Sequence, residues 1–225
     1  MPEGHTVHRI AKRFQRDFLG SKVSISSPQG RFTDASLVSG RVLTKADAWG
    51  KQLFLHFDEI AIRIHLGIYG KWRFTAGDTP EVTGQIRARF QLPGITADLR
   101  GPTACEVIDK AGIKGVQSRL GPDPLRPDRK GLERERFISK LTSRKTAVGQ
   151  QLMDQSVIAG IGNVYRAELL FRSLINPHTP GNLLPLELAD QIWEDSVTLM
   201  PIGVRTGLML TREGHLKGRP KLVDR

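Results

Sequence analysis

Residues 153–165 read Met-Asp-Gln-Ser-Val-Ile-Ala-Gly-Ile-Gly-Asn-Val-Tyr. A helical run over 146–154 ends at Asp154, two glycines make a tight turn, and a second helix over 163–173 opens at Asn163. The first amides of that second helix point out of its end. Gly160 and Gly162 let a ligand approach closely, and Asn163 stands as an N-cap-like donor. Together they describe an anion site suited to a phosphate group. A plain helix–turn–helix corner held by its glycines has the same spelling.

Helical periodicity continues on both sides of this stretch, at 132–142 and at 186–200. In the latter Leu188, Ile192, Trp193, Val197 and Leu199 form a packing face. Upstream, Gly112, Gly115, Gly121, Pro122, Pro124 and Pro127 crowd into a breaker-rich stretch, so 111–130 reads as a linker or hinge. Before it the period is 2. Ile62, Ile64 and Leu66 alternate with Ala61, Arg63 and His65, and Leu53, Leu55 and Phe57 alternate after Gly50-Lys51. Further strand-like runs fall at 22–27, 37–43, 71–75, 86–92 and 104–109. Many short strands with turn signals imply an antiparallel sandwich or barrel. An amphipathic helix over 5–19 precedes them, with Val7, Ile10, Ala11, Phe14 and Phe18 on one face and Gly20 at its end. The expected class is α+β. A β-sandwich domain with an N-terminal helix (1–110) is followed by the linker (111–130) and a helical domain (131–225).

The chain has 225 residues, with 34 Lys plus Arg against 23 Asp plus Glu, a formal charge of +11. Such a balance calls for a polyanionic partner. No run approaches about 18 consecutive apolar residues, so no membrane span is expected. The start, Met1-Pro2-Glu3-Gly4-His5, has neither the basic nor the apolar region of a signal peptide. A cytoplasmic protein is the expectation. One cysteine, Cys105, excludes an internal disulfide and any zinc site of four cysteines, or of two cysteines and two histidines, within these residues.

Four places offer chemistry. Methionine before proline is readily removed, leaving Pro2 with a free secondary amine. An α-amine has a pKa of about 7.7–8.0, so a useful fraction is neutral and nucleophilic near neutrality. Glu3 beside it suits proton transfer, although a Met-Pro-Glu start is also what a frayed terminus looks like. Lys51, after Gly50, heads a strand at the sheet rim, where lysines are commonly solvated gatekeepers. In the loop His65-Leu66-Gly67-Ile68-Tyr69-Gly70-Lys71-Trp72, glycines bracket two apolar side chains. Ile68 and Tyr69 suit either a buried hairpin corner or a wedge that enters a base stack. Gly160, Gly162 and Asn163 form the fourth place. His5 and His8 share a helix face without a nearby third ligand, so no metal site is expected. Cys105 reads as core.

In this order and spacing, Pro2-Glu3-Gly4, Gly50-Lys51, Gly121-Pro122-Asp123-Pro124-Leu125, residues 153–165 and Phe171-Arg172-Ser173-Leu174-Ile175-Asn176-Pro177 together resemble the formamidopyrimidine-DNA glycosylase/endonuclease VIII family of base-excision-repair enzymes. The resemblance runs over essentially the whole chain and implies a helix–two-turn–helix motif in the helical domain. It further implies that Pro2 attacks C1′ of a damaged nucleoside to form a Schiff base, that Glu3 protonates the opening sugar or leaving base, and that Lys51 supplies a further proton and a phosphate contact. Strand cleavage by β- and δ-elimination would follow. Asn163 and Arg119 would bind phosphates flanking the lesion.

Gly67-Ile68-Tyr69-Gly70 is similar to the Gln-Leu-Tyr-Gly wedge of endonuclease VIII, with glycine in place of glutamine. The Arg-Arg-Phe-Gly loop of formamidopyrimidine-DNA glycosylases has only Asp98-Leu99-Arg100-Gly101-Pro102 as a counterpart, without the Phe. The endonuclease VIII branch is therefore implied, acting on oxidised pyrimidines and abasic sites. Its partner would be damaged DNA, as duplex, bubble or single strand, bound by a monomer. The family's four-cysteine zinc hairpin has no counterpart before Lys221-Leu222-Val223-Asp224-Arg225. Either a longer chain carries it or this member lacks it, and no cofactor is expected within these residues. Two other classes are weighed against the enzyme: a damaged-DNA-binding protein without turnover, and an RNA-binding protein. Pro2-Glu3 and Lys51 argue against both.

Overall fold

The structure is a computed structural model that describes residues 2–212. The expectations about Lys221–Arg225 and the end of the 131–225 domain lie outside the described residues. The chain divides into two compact units, Met1–Leu120 and Gly121–Arg225.

The first unit opens with helix α1 (Gly4–Asp17), close to the expected 5–19. Its apolar stripe buries Val7, Ala11 and Phe14, and Phe18 follows at its end. The Phe14 ring meets Phe18, Trp72, Phe74 and Phe90 at centroid distances of 5.1, 4.9, 5.4 and 5.6 Å, tilted or edge-on arrangements that favour aromatic pairing. Two antiparallel four-stranded sheets follow. One has the order β1 (Ser24–Ser26), β6 (Ala88–Leu92), β7 (Ile95–Arg100), β5 (Lys71–Ala76). The other has the order β2 (Lys45–Trp49), β3 (Gln52–Phe57), β4 (Ile60–His65), β8 (Ala104–Asp109). Residues from both sheets and from α1 share one core, making the sandwich.

Three local expectations are corrected here. The strand-like run at 37–43 is instead the end of a short helix, α2 (Ala35–Val38), followed by a single bridge between Val42 and Lys22. Gly40 at φ +79° turns the chain between them, so Val38 and Leu43 reach the core without strand geometry. Strands β2 and β7 belong in the sheets, although their sequences carried little alternation signal. The start of the expected linker is helix α3 (Lys110–Gln117), capped by the Asp109 carboxylate, which accepts from Gly112 N at 2.7 Å. The division between units falls after Leu120, inside the 111–130 stretch.

On the outer face of the first sheet, Arg89 and Asp98 stand opposite each other on β6 and β7. They form a buried two-pronged ion pair with N···O distances of 2.7 and 2.9 Å. Arg89 also donates to the carbonyl of Pro80 at 2.8 Å. The segment 77–87 is thereby strapped across this face, with further ties from Gln91 to Thr79 (3.1 Å) and from Gln29 to Gly84 (3.0 Å).

The second unit comprises α4 (Leu132–Thr142), α5 (Val148–Gln151), α6 (Asn163–Arg172), a 3-10 turn (Gly181–Leu183) and α7 (Leu186–Thr206) around one core. The helix expected over 146–154 shortens to α5 because Ala147 bridges to Pro180. Helix α7 runs past the expected end at 200. Pro201 removes one N–H, but Leu199, Met200 and Val204 are buried on the core side and carry the helix on. It stops at Gly207, φ +80°, whose N–H donates to the Gly203 carbonyl. Ile192, Trp193 and Leu199 are buried as the periodicity implied, with Leu188 and Val197 packed against them.

Candidate active site

Helix α1 determines where Pro2 and Glu3 sit. Glu3 is the N-cap residue, and its carbonyl accepts from Thr6 N (3.0 Å) and Val7 N (3.3 Å). The docked helix therefore fixes Glu3, and the chain is not frayed from that residue on. Glu3 is fully buried and Pro2 partly so.

Lys51 does not head the strand as expected. Trp49 pairs with Gln52 across β2 and β3, so Gly50-Lys51 is a two-residue hairpin loop with glycine, φ +56°, in its first position. The lysine is half-buried rather than solvated. Burial pushes its ammonium below the ordinary lysine value, while the Glu3 carboxylate pulls the other way. Glu3 and Lys51 are thus brought into electrostatic reach, and Pro2 is the neighbour of Glu3.

His65, at the end of β4, is opposite Gln52. Its ring is held below the usual histidine range by burial, then by Arg63 and Lys51, and its Nδ1 lies 2.8 Å from Thr103 Oγ1. Neither His65 nor Thr103 was given a role from sequence, because their approach depends on the β4–β8 register. Cys105, on β8, is partly buried against the core, and burial raises its thiol to about 12.

His5, the second residue of α1, is buried and held down to about 4, mainly by desolvation and then by Arg9. Its ring stays neutral in the folded protein down to about pH 4, whereas in the unfolded chain it takes up a proton below about pH 6.5. Stability therefore drops as pH falls through that window, by up to about 3 kcal/mol from this group. His5→Gln is expected to flatten this part of the pH dependence in urea unfolding between pH 7 and pH 4.5. A wild-type slope retained in the variant would assign the effect elsewhere.

The loop after β4 exposes its apolar residues. Ile68 is 61% and Tyr69 83% exposed, which excludes the buried hairpin corner. Gly70 N donates to the Leu66 carbonyl at 2.9 Å. A Cβ on Gly70 would lie 2.2 Å from that carbonyl oxygen, and one on Gly67, φ +64°, would lie 2.6 Å from Thr103 Oγ1. Thr103 therefore fills the space beside residue 67. The segment Asp98–Pro102 is the end of β7 with its turn, and Asp98 is buried.

In the second unit, Gln155 shapes the two turns. Its Nε2 donates to the carbonyls of Met153 and Ile161, both at 3.0 Å, and its Oε1 accepts from Gly160 N at 2.9 Å. Gly160 adopts φ +98°. Gly162 is the N-cap of α6, and Asn163 is its first helical residue with an exposed side chain. This corrects the N-cap assignment. The exposed amide remains available to an anion at the helix start. Arg119 follows α3 in the first unit, exposed, its Nε donating to the Gly115 carbonyl at 3.0 Å. Among the described residues, no group of three or more His, Cys, Asp or Glu could hold a metal ion, and no helix is long and apolar enough to cross a membrane.

Residues 1–105 match the formamidopyrimidine-DNA glycosylase N-terminal domain, and residues 120–213 match the formamidopyrimidine-DNA glycosylase H2TH domain. Over 233 residues the chain is 48% identical to endonuclease 8 1 of Mycobacterium tuberculosis, covering 100% of this chain and 86% of that protein. It is 32% identical over 188 residues to the formamidopyrimidine-DNA glycosylase of Geotalea uraniireducens, covering 80% and 68%. Among solved structures, the Lactococcus lactis Fpg in complex with DNA containing an abasic site has the same fold. It matches with TM-score 0.78 at 19% identity, over 91% of this chain and 79% of that one.

Proposed function

The chain belongs to the formamidopyrimidine-DNA glycosylase/endonuclease VIII family, and from that premise we propose that it removes oxidised pyrimidines from DNA and cleaves the strand through a Schiff base on Pro2. The observation that carries this reading is the placing of Pro2 and Glu3 at the head of α1, with the buried Glu3 in electrostatic reach of the half-buried Lys51.

Once Met1 is removed, the neutral Pro2 nitrogen attacks C1′ and the C1′–base bond breaks, the base leaving with a proton. Glu3 takes up the proton that the Pro2 nitrogen gives up and passes it to the ring oxygen or to the departing base, water supplying the other proton, so that the sugar opens to an iminium. Loss of the C2′ proton expels the 3′ phosphate, and a second elimination expels the 5′ phosphate. Lys51, eased toward deprotonation by burial, is suited to move one of these protons. The higher identity to a relative named endonuclease 8 1, and the exposed Ile68-Tyr69, support the endonuclease VIII branch. The 225 residues hold one cysteine and cannot build a four-cysteine zinc site. No step above draws on one.

Borohydride is expected to trap wild-type protein on abasic-site DNA, and Pro2→Gly with Met1 retained is expected to lose the adduct. Binding without any wild-type adduct would make the protein a DNA-binding module instead. Asn163→Ala is expected to weaken damaged and undamaged duplex alike, about tenfold, as a phosphate contact should. In a gel-shift titration, a loss confined to one lesion would place Asn163 in base readout.

A further inference from the structure

The outer face of the β1-β6-β7-β5 sheet carries a recess of about 520 Å³ lined by Lys71, Arg73, Thr83, Gly84 and Arg100. Lys71 and Arg100 stand directly opposite each other on β5 and β7, a like-charge pairing that costs stability when nothing neutralises it. Arg73 follows Lys71 by two and projects from the same face. Asp98, directly opposite Arg73 on β7, is taken up by the buried pair with Arg89 and lies 3.7 Å from Arg100 Nη2. Lys71 and Arg73 make no ion pair with an acidic side chain among the described residues. Arg100 is held in place by its bond to the Thr83 carbonyl, 2.5 Å, from the strap 77–87.

We propose that this recess is a phosphate-binding subsite that takes a backbone phosphate of the DNA, in which Lys71 and Arg73 meet the phosphate and Arg100 is a pre-positioned third cation. The reading rests on the glycosylase function proposed above. Lys71 and Arg73 follow the exposed Tyr69 by two and four residues, which puts them about 7–13 Å along the chain from that tip. DNA engaged by Ile68 and Tyr69 therefore brings its backbone to the recess within a few nucleotides. Arg100 is held by the strap, and the exposed Lys71 and Arg73 beside it supply two more cations for a dianion or a diester.

The test is the salt dependence of binding to a duplex carrying an abasic-site analogue, for wild type and for Lys71→Gln/Arg73→Gln, with thermal unfolding to establish that the variant folds. One phosphate contact fewer should weaken binding about tenfold at moderate salt and lower the magnitude of the log Kd against log salt slope by about 1. A folded variant with wild-type affinity and slope overturns the subsite. So does a variant that loses binding of inorganic phosphate, measured by calorimetry, while its DNA slope is unchanged, since the recess would then serve a free anion. Borohydride capture of the wild-type protein tests the underlying function separately. If it fails, that reading falls whatever the slope does.

Discussion

Glu3→Gln slows release of an oxidised base by about 10²–10⁴-fold, the range a positioned proton donor contributes, while the protein stays folded. The substitution keeps shape and polarity, and the N-cap contacts to Thr6 and Val7 come from the backbone carbonyl, which glutamine retains. On a pre-formed abasic site there is no base to protonate, and part of the sugar is already the open aldehyde. Capture of that substrate by borohydride therefore falls much less. Single-turnover assays on the two substrates make the comparison. An equal fall on both would move Glu3 to imine formation itself. No fall on either would remove it from the mechanism.

The second large effect is structural. Asp98→Ala is expected to destabilise the first unit by about 3–5 kcal/mol, because it leaves the Arg89 guanidinium buried without its partner. Replacing both members, with Arg89→Leu and Asp98→Ala, removes the stranded charge and should recover much of the loss. Urea unfolding of the two single variants and the double variant gives the coupling directly. Additive losses would mean that the pair does not act as a unit. Because Arg89 also holds Pro80, the single Asp98 variant should loosen the strap as well, read as faster hydrogen exchange across 77–87.

Much of the scaffold was legible where period and burial agree. The alternation at 53–57 and 61–65 is β3 and β4, and 132–142 is α4 to the residue. The stretch 37–43 misled because its apolar residues are buried for a different reason, a short helix and a turn at Gly40. Helix α3 was hidden by Gly112 and Gly115, poor helix formers that the Asp109 cap and packing override. At the candidate site, Pro2, Glu3 and Lys51 were visible as residue types, and the resemblance joined them. Their coupling was not visible, because Lys51 reaches Glu3 only through the β2–β3 hairpin and the docking of α1. The approach of His65 to Thr103 and the Arg89–Asp98 pair depend on strand register, which no local pattern encodes.

The central claim is that the nucleophile is the Pro2 nitrogen. The direct measurement is to reduce the complex with abasic-site DNA using borohydride, digest it with nuclease and trypsin, and locate the sugar remnant by mass spectrometry. The remnant is expected on the peptide of residues 2–9, attached at its N-terminal nitrogen. A remnant on the peptide containing Lys51, or on any other lysine, would contradict the assignment.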